Sequence, residues 1–110
     1  MRNKEGMTAG LRVRLLRETL GKSRPEFSAL LDFDYHRLSN IENGRARVGD
    51  DLLERLCPMF PELTHWIAYG GDISQAAIRE SSCSMVRLFA AQIDAGMAPE
   101  NSEFERVFVE

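Results

Sequence analysis

Ser23 to Gly44 reads SRPEFSALLDFDYHRLSNIENG, and two short helices with a tight turn between them account for nearly every residue in it. Ser23 suits an N-cap, and Glu26, three residues on, completes a capping box. Pro25 fits a first helical turn, where its missing N–H is no loss. Phe27, Leu30 and Leu31 are expected to turn inward, while Ser28 and Ala29 are small enough to let another helix come close. Asp32-Phe33-Asp34 is the expected turn. Asp32 reaches a left-handed conformation more readily than most residues with a side chain. Phe33 plugs the space between the helices, and Asp34 caps the next one. That helix, about Tyr35 to Asn43, turns Leu38 and Ile41 to the core. It leaves Tyr35, His36, Arg37 and Asn40 as an exposed row, and Gly44 closes it.

Upstream, Met1 to Met7 is polar and aperiodic, which predicts a frayed arm; Met7 is a second candidate start. Thr8 caps a helix over Ala9 to Leu20, with Val13, Leu16 and Leu20 on one face and Arg12, Arg14 and Arg17 off its centre. Gly21 ends it. Downstream, Arg45 to Gly49 is a short basic loop. Asp50 or Asp51 caps a fourth helix from Leu52 to about Met59, with Leu52, Leu53, Leu56 and Met59 inward; Pro58 ends or kinks it. Pro61 opens a fifth, Glu62 to Tyr69, burying Leu63, Trp66 and Ile67, and Gly70-Gly71 stops it.

From Asp72 the character changes. Ser74 to about Ala95 is helix-compatible, with a break admissible at Ser81 to Ser84. Val86, Phe89, Ala90 and Ile93 form an apolar stripe that either packs on the domain or makes a dimer face. Ala98 to Ser102 is a linker, and Phe104 to Val109 is a short strand or a docked tail. The expected organisation is all-α: a helix-turn-helix domain over 8–71 and a C-terminal helical extension with a tail over 72–110.

Composition narrows the function classes. With 110 residues, 44% of them apolar, the chain can bury a core without disulfides or metal. Cys57 and Cys83 lie far apart, as free thiols in a reducing compartment would. No leader and no membrane-length apolar run is evident, which points to a cytoplasmic protein with no membrane role. There is no HExxH, no phosphate-binding GxxxxGK loop and no GxGxxG. The cysteines lack metal-site spacing. The expectation is a non-enzyme without cofactor or metal.

Net charge is −3, yet its distribution is lopsided. Residues 1–47 carry ten Lys/Arg against six Asp/Glu, or +4, and residues 48–110 carry four against eleven, or −7. Such asymmetry suits one half facing a polyanion and another that is solvated or faces a partner. The helix pair fits the first role. A major groove accepts one α-helix, and the preceding helix lies across the backbone with its N–H groups near phosphate. Tyr35 and His36 then lie near base edges. Asn40 can pair bidentately with adenine, and Arg37 can reach a guanine or a phosphate.

On these residues the chain resembles the lambda-repressor-like, Cro/cI-type family, often called the Xre family. Ser23, Glu26, Phe27, Leu31, Phe33, Leu38, Ser39, Ile41, Glu42 and Gly44 fall at the family's motif positions without a gap. Arg12-Val13-Arg14-Leu15-Leu16-Arg17 matches the pattern before it, and Trp66-Ile67-Ala68-Tyr69-Gly70 matches the closing one. The resemblance spans Leu11 to Gly71. It implies a five-helix domain and double-stranded DNA as partner, with base contacts at Tyr35, His36 and Asn40, often with Arg37. It implies phosphate contacts at Arg24, Asn43, Arg45 and Arg47, and a structural pair between Arg17 and Glu42. The departures are Arg24 in place of Gln, Asp32 in place of Gly, Asp34 in place of Ser or Thr, and Lys22 where an apolar residue is common; these bear on base preference more than on fold. The resulting expectation is a transcriptional repressor acting as a homodimer on an inverted repeat, with autoregulation at its own operator as one arrangement. The alternative is a protein-interaction module, such as an antitoxin or adaptor, whose acidic C-terminal half binds a protein partner.

Overall fold

The computed structural model describes residues 7–110. Eight helices follow in order: α1 (Ala9–Thr19), α2 (Arg24–Leu31), α3 (Tyr35–Glu42), α4 (Asp50–Leu56), α5 (Thr64–Tyr69), α6 (Gln75–Arg79), α7 (Ser84–Asp94) and α8 (Ser102–Glu105). A 3-10 turn at Pro61–Leu63 leads into α5. Two short strands, β1 (Ile73–Ser74) and β2 (Phe108–Val109), pair in parallel, Ile73 opposite Phe108.

The capping chemistry forms as the sequence dictates. Thr8 Oγ1 accepts from the Leu11 N–H at 3.1 Å. Ser23 and Glu26 make the full reciprocal box. Asp32 sits at φ 51, ψ 51. The N–H of Phe33 donates to the Ser28 carbonyl at 2.9 Å, and that of Asp32 to the Ala29 carbonyl at 3.2 Å. These two bonds close α2 in a Schellman arrangement and set the direction in which α3 leaves. Asp34 then caps α3 through the Arg37 N–H at 2.9 Å.

The α1 helix is the central strut: it packs on α3, α5 and α7. Gly10 lies inside its first turn, and a Cβ there would overlap the backbone carbonyl oxygen of Ile41. The glycine therefore lets α1 cross the end of α3 at backbone distance. Arg12 is also buried, at 3% exposure. Its guanidinium donates to the carbonyls of Ile67 at 3.2 Å, Ala68 at 3.4 Å and Met7 at 3.1 Å. A cation there suits the carbonyl end of short α5.

Several expectations are corrected. Met7 is no part of a frayed arm, being fully buried in the core; the rest of that arm, 1–6, lies outside the described residues. Leu30 is exposed rather than inward, because Phe27 and Leu31, one turn apart, already fill the buried face. Gly49, not Asp50 or Asp51, occupies the cap of α4. The stripe on α7 is no dimer face at three of its four positions: Val86 and Phe89 are fully buried and Ala90 nearly so, within this chain's own core. Ile93 is half-buried. The tail resolves into both alternatives, since Phe104 is buried under α8 and Phe108 pairs as a strand. One core cluster runs through Leu16, Leu38, Trp66, Val86, Phe89 and Phe104, so the apolar interior is continuous across residue 71.

Gly10→Ala tests the crossing. Alanine gains about 1 kcal/mol in helix propensity, yet its methyl must displace a backbone carbonyl, as overpacked cores do at about 1–3 kcal/mol. The expected outcome is a lower urea midpoint at unchanged slope.

Candidate nucleic-acid interface

The solvent side of α3 is polar, apart from the ring of Tyr35. Tyr35, His36, Arg37 and Asn40 are all exposed on α3, as are Asn43, Arg45 and Arg47 beyond it. Tyr35 and His36 meet edge to face at 5.3 Å between ring centres. Leu38 and Ile41 point the other way, fully or almost fully buried. After α3 the chain folds back on itself: the N–H groups of Arg45 and Ala46 both donate to the Asn40 carbonyl, at 2.8 and 3.2 Å. Gly44, at φ 81, permits that reversal. The reversal brings the basic loop beside the first turn of α1, across a hollow of about 450 Å³ lined by Thr8, Gly10, Arg45 and Arg47. That first turn holds no acidic residue. Arg45 and Arg47 have no ion-pair partner among the described residues, so their charge is available to a polyanion.

Two arginines are engaged. The Glu42 side chain is wholly buried, and it accepts from Arg17 Nη2 at 2.9 Å and from Arg24 Nε at 2.9 Å. Arg17 also donates from Nε to both carboxylate oxygens. The expected Arg17–Glu42 pair is thus present, and Arg24 has joined it. Arg24 reaches Asn43 Oδ1 as well, at 3.4 Å, while keeping 27% of its side chain exposed. It is a bracing residue first, with one flank still open to solvent.

Arg37 is the second. Its Nη2 pairs with Asp51 Oδ2 at the start of α4, and its guanidinium lies 4.7 Å over the Phe33 ring. The Asp51 carboxyl also accepts the Leu52 N–H at 2.9 Å. Hydrogen bonding to Arg37, then to the Leu52 backbone, holds the Asp51 carboxyl below the usual carboxylate range. Sequence reasoning missed Asp51, which sits fourteen residues from Arg37 with no local pattern joining them. Two further acids near α3 have partners: Asp34 caps α3, and Asp32, at the surface, lies 3.6 Å from Arg55.

Residues 8–60 match a family model described as a helix-turn-helix domain. The matched stretch holds α1 to α4 and every side chain of the polar face just described. It supports a helix-turn-helix DNA-binding protein. No curated protein and no solved structure matches the chain. Among the described residues no helix is long and apolar enough to cross a membrane.

The ionic knot in this helix-turn-helix has an asymmetric energetic signature. Glu42→Ala leaves the buried Arg17 with only the Lys22 carbonyl at 2.9 Å and the Glu18 carboxylate at 4.0 Å, and is expected to cost about 3 kcal/mol, the low end for breaking a buried pair. Arg24→Ala leaves Glu42 paired with Arg17 and is expected to cost under about 1 kcal/mol. Equal losses in chemical denaturation would contradict the assignment. A pH titration tests the Arg37 tie. Because the Asp51 pKa is depressed in the folded state, the tie is intact above the ordinary value of about 3.9 and is lost as pH falls through the lower one. The Arg37 guanidinium NMR signals should shift over that interval, and Asp51→Asn should remove the shift.

Proposed function

We propose that the chain is a sequence-specific transcriptional regulator of the lambda-repressor-like type, a repressor that acts in the cytoplasm as a homodimer on an inverted repeat. The observation that carries this reading is the exposure of the polar α3 side chains together with Arg45 and Arg47, which have no ion-pair partner among the described residues, in the loop that folds back onto the Asn40 carbonyl. Base-reading groups and phosphate-binding groups must share a face to work on one duplex.

In this reading α3 enters the major groove. Tyr35 and His36 meet base edges near its N-terminus. Asn40, one turn on, pairs with adenine through N6 and N7. Arg45, Arg47 and Asn43 contact the phosphates flanking the groove, and Arg24 adds a partial charge from its open flank. Arg37 contributes from its seat between Phe33 and Asp51, either to a guanine or to a phosphate. One eight-residue helix spans only about 12 Å, which reaches a few base pairs. Two copies on a two-fold axis double the site read, with recognition helices about 34–36 Å apart or a multiple of that. The reading includes autoregulation, with the operator in its own upstream region.

Binding of the purified chain to its own upstream DNA and to random DNA of equal length tests this directly. Affinity should fall with salt at about −0.9 in the log–log slope per neutralised phosphate, and Arg45→Ala and Arg47→Ala should each remove about one such unit. Asn40→Ala should cost about 1–3 kcal/mol on the specific site and little on random DNA. Equal loss on both would exclude a base-reading role for Asn40. Flat salt dependence in the native chain would exclude the duplex as ligand.

A further inference from the structure

The acidic half of the chain has its own surface feature, remote in sequence from the polar face of α3. A groove of about 300 Å³ lies between the end of α7, the linker and α8, with Ile93, Ala98, Pro99, Phe104 and Phe108 among its lining residues. That is the low end of the range for pockets that hold small ligands, about 300–1,000 Å³. It suits one or two apolar side chains of a longer segment. Met97, between two lining residues, is 57% exposed, and Val109, next to Phe108, is 41% exposed. Exposed Met is adaptable and common on peptide-binding surfaces.

Most of the charge around this groove is negative. Glu105 lines it, and Glu100 and Glu103 lie on the linker and on α8 beside it. None of the three has an ion-pair partner among the described residues. Asp94 is neutralised by Arg79, which grips it through two bonds of 2.8 and 3.0 Å. The remaining cation in that stretch is Arg106. A second copy of this chain is a poor occupant, because docking groove to groove would bring like charges together, an arrangement that costs affinity.

We propose that this groove docks a cationic, apolar segment of a partner protein, in which one or two large aliphatic or aromatic side chains are flanked by Lys or Arg. The apolar side chains fill the space between Ile93, Ala98, Pro99 and Phe108, and the flanking cations meet Glu100, Glu103 and Glu105. The site is independent of DNA recognition, so its test does not bear on that reading.

The chain carries its own reporter. Trp66 is its one tryptophan, and its ring lies 5.6 Å from that of Phe104. The peptides KKLFLKK and EELFLEE, both capped at each end, serve as probes against the full chain. Binding is followed by Trp66 fluorescence and by backbone NMR shifts. The cationic peptide should bind saturably, at least about tenfold more tightly than the anionic one. Its affinity should fall severalfold at about 0.5 M salt. Shifts should centre on Ala98, Phe104 and Phe108. Glu105→Lys, at an exposed position, should weaken binding severalfold while leaving the urea midpoint in place. Equal affinity for the two peptides, no saturable binding, shifts centred on α3, or a groove closed by self-association would each overturn the proposal.

Discussion

The Glu42 carboxylate has no contact with water, and two arginines from different helices converge on it. Such a charge is stable in the interior only while its partners stay in place. Arg17 comes from α1, Arg24 from α2 and Glu42 from the last position of α3. Three helices are thereby tied at one point, directly beneath the polar face. The steric constraint lies beside the ionic one. Gly10 brings α1 against the carbonyl of Ile41, the residue before Glu42. Backbone contact on one side and a buried ion pair on the other leave α3 little freedom to tilt. In the proposed reading, where α3 enters a groove, that rigidity is an advantage, because ordering costs are then met on folding rather than on binding.

Two arginines share the Glu42 carboxylate, and Arg17 also lies 4.0 Å from Glu18. Arg17 is the buried one, and Arg24 stands at the start of α2, where free helical N–H groups also favour anions. The acids around α3 look unfavourable for a polyanion at first sight. Three of them have partners: Asp34 caps α3, Asp51 meets Arg37 and the Leu52 N–H, and Asp32, at the surface, lies 3.6 Å from Arg55. Carboxylates that the local fold requires thus present less of their charge outward than their number suggests.

What could be read from the sequence follows from the range of the interactions. Caps and turns act over three or four residues, so Thr8, the Ser23–Glu26 box, αL Asp32 and Asp34 were all legible. The helix pair and its exposed row followed from them. Gly10 was not legible, because a glycine inside a helix announces nothing until the helix crossing it is known. Arg12 misled for a related reason: helical spacing places it off the apolar face, yet carbonyls at the end of α5, fifty-five residues away, give it a polar seat inside. Met7 has no periodic neighbour to mark it as buried. The α7 stripe was correctly seen as apolar, but pattern alone cannot say whether a face meets its own chain or another. Arg24 and Arg37 were read as free because their acidic partners are remote in sequence.

The burial of that stripe changes how the extension relates to the domain. α7 packs on α1, and Gln92 Nε2 donates to the Thr19 carbonyl at 3.2 Å near the end of that helix. Phe104 reaches Trp66 from the far end of the chain. Removing 72–110 would uncover one side of α1 and α5 together, the helices joined by Arg12. The extension therefore acts as a brace that completes the core under the helix-turn-helix. A brace of this kind carries no signal by itself, since coupling between surfaces needs an element with two arrangements. A closely packed α1, pinned by Gly10 on one side and α7 on the other, offers one arrangement. It follows that a segment docked over Phe108 would add to the stability of the whole chain, and would alter the proposed DNA recognition only by its own bulk and charge.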